Sequence, residues 1–347
     1  MAKIIFIGDL HLDKKPPHST KASAQRFFQL QHEVMTHVPS DATVVQLGDV
    51  FDSFEVPSTT FAKAYSICQN FHAIVGGNHD FSHDTTKTSA LQNLSGFLPR
   101  VVRIGSFNGD TLKADGVEVF ILPYQETREK FEECLAHLAG VVRIEHGTTN
   151  ILCLHCNYDN DRADARTENN LTSEWATSLL ANSFNLIVSG HEHNYSSHHG
   201  GRLLMAGSML PHSFGEMSDK SWLEFDTETG LFTRQYSWKS AGSFLRTDVE
   251  GFLALPEDTC LQFIELTGEI LPQQIREVAG KIAKLINGDS VISIKNNTSL
   301  PESETANAPT ERRSTWYQKI RDQLVDPDDL ALFNDVYAAT CPTISAE

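Results

Sequence analysis

Short apolar runs and stretches of helical period alternate along the first two thirds of the chain. Lys3–Ile7 reads as an apolar strand, and Phe27, Leu30, Val34 and Val38 then recur at helical spacing. Residues 43–47 form a second strand pattern, Phe61, Ala64, Tyr65, Cys68 and Phe71 a second amphipathic helix, and residues 73–75 a third strand. Strand patterns follow at 117–122, 150–154, 185–188 and Leu203–Met205, with helical faces at Phe131, Cys134, Leu135 and Leu138 and at Leu171, Trp175 and Leu179. Residues 222–225 and 231–236, joined through Thr229-Gly230, predict a hairpin. This alternation predicts an α/β core over residues 1–240.

A smaller pattern follows over 241–296. Residues 261–266 read as a strand, Pro272 suits the first turn of a helix, and Ile275, Val278, Ala279, Ile282, Leu285 and Ile286 continue at helical spacing. Asn287-Gly288 ends that run and residues 290–295 return as a strand, giving a β-α-β module. Residues 297–311 are rich in Asn, Thr, Ser, Glu and Pro and predict a linker. Two amphipathic helices are expected in 312–347, one carrying Trp316, Tyr317, Ile320 and Leu324, the other Leu330, Phe333 and Tyr337 after Asp326-Pro327. Two apolar faces at the end of a polar tether cannot make a core alone, so they are expected to dock on the chain's own body or, by preference, on another protein.

Composition narrows the classes. No apolar run approaches the roughly 20 residues of a membrane-spanning helix, and Ile4–Ile7 lacks the length and cleavage site of a signal peptide, so a cytoplasmic location is the expectation. The six cysteines are expected to be packed thiols rather than disulfides. Cys153 and Cys156 spell C-x-x-C, but on a buried strand they would face opposite sides. The net charge of −17 argues against strong autonomous DNA binding and fits a protein that concentrates carboxylates around metals.

Metal-type side chains follow the strands in a regular way. Asp9 and His11 follow the first strand, Asp49 and Asp52 the second, Asn78, His79 and Asp80 the third, His155 the strand at 150–154, and His191 and His193 the strand at 185–188. Ligands gather outside the carboxyl ends of strands in α/β sheets, so five strand ends would deliver these groups to one rim. Residues two apart on extended backbone point the same way, so Asp9 with His11, and His191 with His193, could each face one site. The preceding glycines allow sharp turns. A mixed carboxylate, imidazole and amide set suits manganese, iron or zinc better than calcium. Lys14, Lys15, Arg162 and Arg166 are candidates for phosphate contact or for ordinary solvated charge.

The order G-D-x-H, G-D-x-x-D, G-N-H-D, H, G-H-x-H resembles the calcineurin-like metallophosphoesterase superfamily, and most of all its SbcD-type nuclease branch with the bacteriophage recombination endonuclease subunits. Residues 121–124 (Ile-Leu-Pro-Tyr), the segment Ala206-Gly207-Ser208 with Pro211, Ser213, Phe214 and Glu216, the β-α-β module and the terminal helices all share in the resemblance. It implies a four-layer α/β/β/α sandwich with a small β-α-β capping domain and C-terminal helices. It implies two divalent ions, most plausibly manganese, one on Asp9, His11, Asp49 and His193, the other sharing Asp49 and taking Asn78, His155 and His191. His79 would be catalytic rather than a ligand, and Asp52 would either orient His79 or seat its loop. The reaction implied is hydrolysis of DNA phosphodiesters by a metal-bridged hydroxide, on duplex ends or hairpins. The partners implied are an SbcC-type ATPase held by the terminal helices, and a second copy of the chain.

Two other functions fit parts of this pattern. One is a phosphatase or small-molecule phosphodiesterase on the same core, although Ser53 and Phe81 stand where serine/threonine phosphatases carry phosphate-clamping arginines. The other is a non-catalytic scaffold for a partner ATPase, which has no need of seven ligand-type side chains.

Overall fold

The computed structural model describes residues 3–15, 21–81, 88–98, 110–114, 116–159, 169–216, 218–239, 244–256, 263–287 and 293–299. The linker from residue 300 and the two C-terminal helices expected from the sequence lie outside them, as do Arg162 and Arg166. In chain order the elements are β1 (Lys3–Ile7), α1 (Lys21–Met35), β2 (Thr43–Gln46), α2 (Ser58–Cys68), β3 (Ala73–Ile74), α3 (Ala90–Ser95), β4 (Asp110–Ala114), β5 (Val117–Ile121), α4 (Arg128–Val141), β6 (Thr149–His155), β7 (Asn157–Tyr158), β8 (Asn170–Leu171), α5 (Ser173–Asn182), β9 (Leu186–Gly190), β10 (Ser196–His198), β11 (Leu203–Met205), β12 (Lys220–Asp226), β13 (Leu231–Trp238), β14 (Phe244–Thr247), α6 (Val249–Ala254), β15 (Phe263–Leu266), α7 (Ile275–Asn287) and β16 (Ser293–Asn296).

Two sheets form the larger body. One has the order β13-β12-β1-β2-β3, the other β10-β11-β9-β6-β5-β4. Strands β1, β2 and β3 run parallel, as do β5, β6, β9 and β11, and the remaining strands attach antiparallel at the sides. Parallel strands covered on both faces carry near-continuous apolar runs, and β6 shows why. Ile151 and Cys153 enter a core with Ile4, Phe6, Val45 and Leu223 of the other sheet. Leu152 and Leu154 enter a second core with Phe131, Leu135 and Leu138 of α4 and Leu179 and Leu180 of α5. Cys153 and Cys156 fall into these two different cores, both buried, so the C-x-x-C spelling places its thiols on opposite sides of a strand. On the far side of the first sheet Ile5 and Val44 are buried, and α2 turns Ala64, Ile67 and Cys68 inward, completing an α/β/β/α order. Each fully buried aliphatic side chain contributes roughly 1.5–3 kcal/mol, so the doubly covered strands are the most firmly fixed parts of the frame.

Local differences from the sequence reading have physical causes. The helical face expected from Leu171 begins two residues later. Leu171 pairs with Tyr158 in a short ladder, and the Thr172 hydroxyl accepts from Trp175 N at 3.3 Å to cap α5. Strand β6 runs on to include His155, and β9 runs to Gly190, because the flanking ladders continue to the His155–Gly190 pair. The short strands β4, β7, β8, β10 and β14 carry too few periodic positions to stand out in the sequence.

The chain divides into two compact units. The first gathers Met1–Lys14, Leu30–Pro211 and Gly215–Lys239, the second Lys15–Gln29, His212–Phe214 and Ser240–Glu347. Within the second, β14, β15 and β16 form a parallel sheet, and β15-α7-β16 is a β-α-β unit entered through a single turn at Pro272–Gln274. Its core joins Val249, Phe252, Ile264, Leu266, Val278, Ile282, Leu285 and Ile294, the 3.6-residue stripe of α7 against alternate strand positions.

Candidate metal centre

Five strands of the first unit end at one place. The loops after β1, β2, β3 and β9, with the last residue of β6, carry Asp9, His11, Asp49, Asn78, His79, His155, His191 and His193. Main-chain bonds lock the loops together. Leu10 N and His11 N both donate to the Asp49 carbonyl at 3.0 Å, and Leu12 N donates to the Val50 carbonyl at 2.9 Å. The Asp80 carboxylate, buried, accepts from Gly77 N at 3.1 Å and from Val50 N and Phe51 N at 3.3 Å, pinning the third loop to the second. Gln31, also buried, donates to the Leu10 carbonyl at 2.8 Å.

The backbone is bent where the side chains converge. His11, Asp49 and His191 have φ of 42°, 53° and 82°. A non-glycine residue seldom takes this left-handed region, and such strain persists only where the surroundings over-determine it. Gly48 has φ 105°, and a Cβ there would lie 2.1 Å from His155 Nδ1. A Cβ on Gly77 would lie 2.1 Å from Asp49 Oδ1. The simple expectation of extended backbone from residues 9 to 11 and 191 to 193 is therefore corrected. With the turn at residue 191, His191 and His193 point into two different clusters.

In the first cluster His11 Nε2 and His193 Nε2 are 3.1 Å apart, and Asp49 Oδ2 is 3.6 Å from His11 Nε2. Asp9, His11 and His193 bring one ligand atom each to within 4.8 Å of one another. In the second cluster Asn78 Oδ1 lies 3.0 Å from His155 Nε2 and 3.1 Å from His191 Nδ1, those two nitrogens are 3.3 Å apart, and Asp49 Oδ2 is 3.4 Å from His155 Nε2. Asp49 Oδ2 thus belongs to both. Asp9 also accepts from His191 N with each oxygen at 3.1 Å, tying the clusters through the main chain.

The rings are held from outside. His155 Nδ1 is 2.8 Å from the Leu47 carbonyl, His193 Nδ1 is 2.9 Å from Glu216 Oε1, and His11 Nδ1 is 3.1 Å from Asp52 Oδ1. An acceptor on the outer nitrogen keeps the proton there and leaves the inner nitrogen as a lone pair. Inner lone pairs 3.1 Å apart, beside carboxylate and amide oxygens, repel unless a cation or proton lies between them. The donor set therefore fits a pair of divalent ions around Asp49.

Protons take part of that role in the metal-free protein. Burial works against a charge on His155, but Asp49, Asp9 and the Leu47 carbonyl outweigh it and raise its pKa to about 9. Burial, reinforced by the charge of His155, lowers His191 to about 4. Burial also opposes ionisation of Asp49, yet His155, His11 and His79 hold its carboxyl well below the usual carboxylate range.

His79 sits beside the first cluster, where with His11 and Asp49 it forms a further group of possible ligands. Its Nδ1 is 2.7 Å from the Asp52 main-chain carbonyl, its N–H donates to Asp49 Oδ1 at 3.0 Å, and its ring meets that of His11 edge-on at 5.1 Å. The carboxylate of Asp52 turns elsewhere, to His11 Nδ1 and to Lys14 Nζ at 3.0 Å. Asp52 thus touches His79 only through its carbonyl, and Lys14 is engaged in an ion pair rather than standing clear of the protein.

With this geometry the comparison with known proteins becomes informative. Residues 2–195 match the family described as calcineurin-like phosphoesterase. The chain belongs to the calcineurin-like phosphoesterase family. A search of curated proteins finds no match. Among solved structures, a purple acid phosphatase isolated from yellow lupin seeds is similar at 10% identity with a TM-score of 0.39, over 67% of this chain and 52% of that one. The chain spans about half the length of that phosphatase.

Several residues of this phosphoesterase centre escaped the sequence reading. Gln31 and Lys220 act through contacts with residues remote in sequence, and Asp80, one of the metal-type side chains after the third strand, pins two loops together instead. Glu216 belonged to a segment read only as a resemblance, and nothing in its spacing pointed to His193. Outside the clusters, His72 accepts from Val44 N at 3.1 Å, while His198 and His199 pack on Tyr158.

Proposed function

We propose that the chain is a two-metal DNA nuclease, the phosphodiesterase subunit of an SbcC/SbcD-type recombination and repair complex. The observation that carries the chemistry is the sharing of Asp49 Oδ2 between the two clusters. Asp9, His11, Asp49 and His193 would hold one ion; Asp49, Asn78, His155 and His191 would hold the other. When bound, such a pair supplies electrophilic polarisation of the phosphoryl oxygens and a nucleophile available near neutral pH. The chain's own residues do the rest. His79, with Nδ1 fixed on the Asp52 carbonyl, keeps Nε2 for a proton to be delivered to the departing oxygen. The Asp80 and Leu10–Asp49 bonds hold the loops in place, so that the ligands need not reorganise when ions or substrate arrive.

Three features favour DNA over a small ester: the order of motifs along the chain, the β-α-β unit beyond the family core, and a polar segment followed by amphipathic patterns that suit an ATPase partner. The phosphate-clamping arginines are replaced by Ser53 and by Phe81, whose ring packs edge-on against Tyr124 at 6.0 Å. The net charge of −17 assigns much of the DNA grip to that partner. We propose manganese as the working ion, a homodimer as the assembly and the cytoplasm as the compartment; among the described residues no helix is long and apolar enough to cross a membrane. Linear duplex DNA and a nitrophenyl phosphodiester, assayed side by side with manganese and with or without the cognate ATPase, test the substrate. Degradation of DNA stimulated by the ATPase is expected. Turnover of the small ester with DNA left intact would favour a phosphatase or small-molecule enzyme.

Metal loading should also release protons. At pH 7 His155 carries a proton on a nitrogen the ion requires, so binding displaces about one proton. Affinity should therefore rise with pH up to about 9 and level off above it. Calorimetric titrations with manganese in buffers of different protonation enthalpy check this, and identical heats in all buffers would contradict it.

A further inference from the structure

Behind His193 lies a buried ion pair that the chemistry above does not use. Lys220 is 1% exposed, yet it carries a charge into the body of the protein. Its Nζ donates to Glu216 Oε2 at 3.0 Å and to the His193 carbonyl at 2.7 Å. Glu216, also buried, turns its other oxygen to His193 Nδ1 at 2.9 Å. Ser208 supports both partners, its N–H on the His193 carbonyl at 3.1 Å and its hydroxyl 3.4 Å from Glu216 Oε2. Strand β12 is irregular at this point. Lys220 pairs with Trp238 but Ser221 pairs with Tyr236, so Ser237 is an extra residue in the opposing strand. Bulges of this kind re-aim a side chain next to a site. A buried pair is a poor source of stability compared with apolar residues of the same volume, so its worth is to be sought in what it holds.

We infer that Lys220 is a positioning residue of the centre: acting through Glu216 and the His193 main chain, it fixes the His193 imidazole toward the first ion and sets how firmly that ion is retained. This rests on the reading of Asp9, His11, Asp49 and His193 as one ion's ligands. Partners one step out from the ligands typically change metal affinity by about 10–100-fold.

Manganese titration of the full chain by calorimetry is the test, with Asp9→Asn identifying the first-ion step and Asn78→Ala the second. Lys220→Met keeps the volume and removes the charge. The expected result is an about 10–100-fold weaker first step and an unchanged second step, with a lower Tm of the metal-free protein because Glu216 keeps a buried charge without its partner. Glu216→Gln should weaken the first step likewise, and the double variant should be no weaker than Glu216→Gln alone. A wild-type first step in Lys220→Met, or equal weakening of both steps, overturns the inference. Should Lys220→Met fail to fold, Glu216→Gln decides: a wild-type first step there overturns it as well. Wild-type protein that takes up no manganese would instead overturn the reading of the metal centre itself.

Discussion

Asp49→Asn is expected to leave a folded protein with at most one firmly held ion and activity reduced by about 10³-fold or more. The asparagine oxygen can still accept the His79 N–H that now meets Asp49 Oδ1 at 3.0 Å. Asparagine also takes φ near 53° more readily than most residues, so the turn survives. What is lost is the negative oxygen that lies 3.6 Å from His11 Nε2 and 3.4 Å from His155 Nε2. Two cations brought close together without a bridging anion repel one another. Losing several kcal/mol of charge stabilisation, at 1.36 kcal/mol per factor of ten, gives the rate loss stated. Metal content by mass spectrometry, Tm and the rate of phosphoester hydrolysis measured on one preparation check it. Two ions retained with wild-type rate would remove the shared role of Asp49.

His79→Ala has the opposite signature. Both ions should remain, because the ligand set is intact and the main-chain N–H of residue 79 still reaches Asp49. Turnover of DNA should fall about 10²–10⁴-fold, the usual worth of a positioned general acid. The loss should depend on the leaving group. A nitrophenolate departs without a proton, so a nitrophenyl phosphodiester should lose far less than DNA does. Equal losses on both substrates would assign His79 to phosphate binding instead, and an unchanged rate on DNA would remove its role altogether.

Much of this architecture could be read from the chain. Ile4–Ile7 is an unbroken apolar run because β1 is covered on both faces, and the glycine and ligand-type residues after each strand mark where the sheets deliver their loops. The family core and the β-α-β unit followed from such local regularities. Less legible was anything set by long-range contact. The left-handed turns at His11, Asp49 and His191 are imposed by neighbouring loops, and no local pattern distinguishes them from extended backbone. For that reason local spacing suggested one site for His191 and His193, while the family resemblance assigned them to different ions; the two rings point into separate clusters. From the sequence Asp52 could either orient His79 or seat its loop; its carboxylate is drawn to His11 and Lys14 and only its carbonyl reaches His79. Lys220 opens a strand buried along nearly its whole length, beside a register shift at Ser237, and nothing in the local pattern marks its charge as buried.

Anomalous diffraction from crystals grown with manganese addresses the central claim most directly. Two peaks are expected about 3.5–4 Å apart, both within bonding distance of Asp49, one flanked by Asp9, His11 and His193 and the other by Asn78, His155 and His191. A single peak, or peaks away from Asp49, would contradict a paired centre.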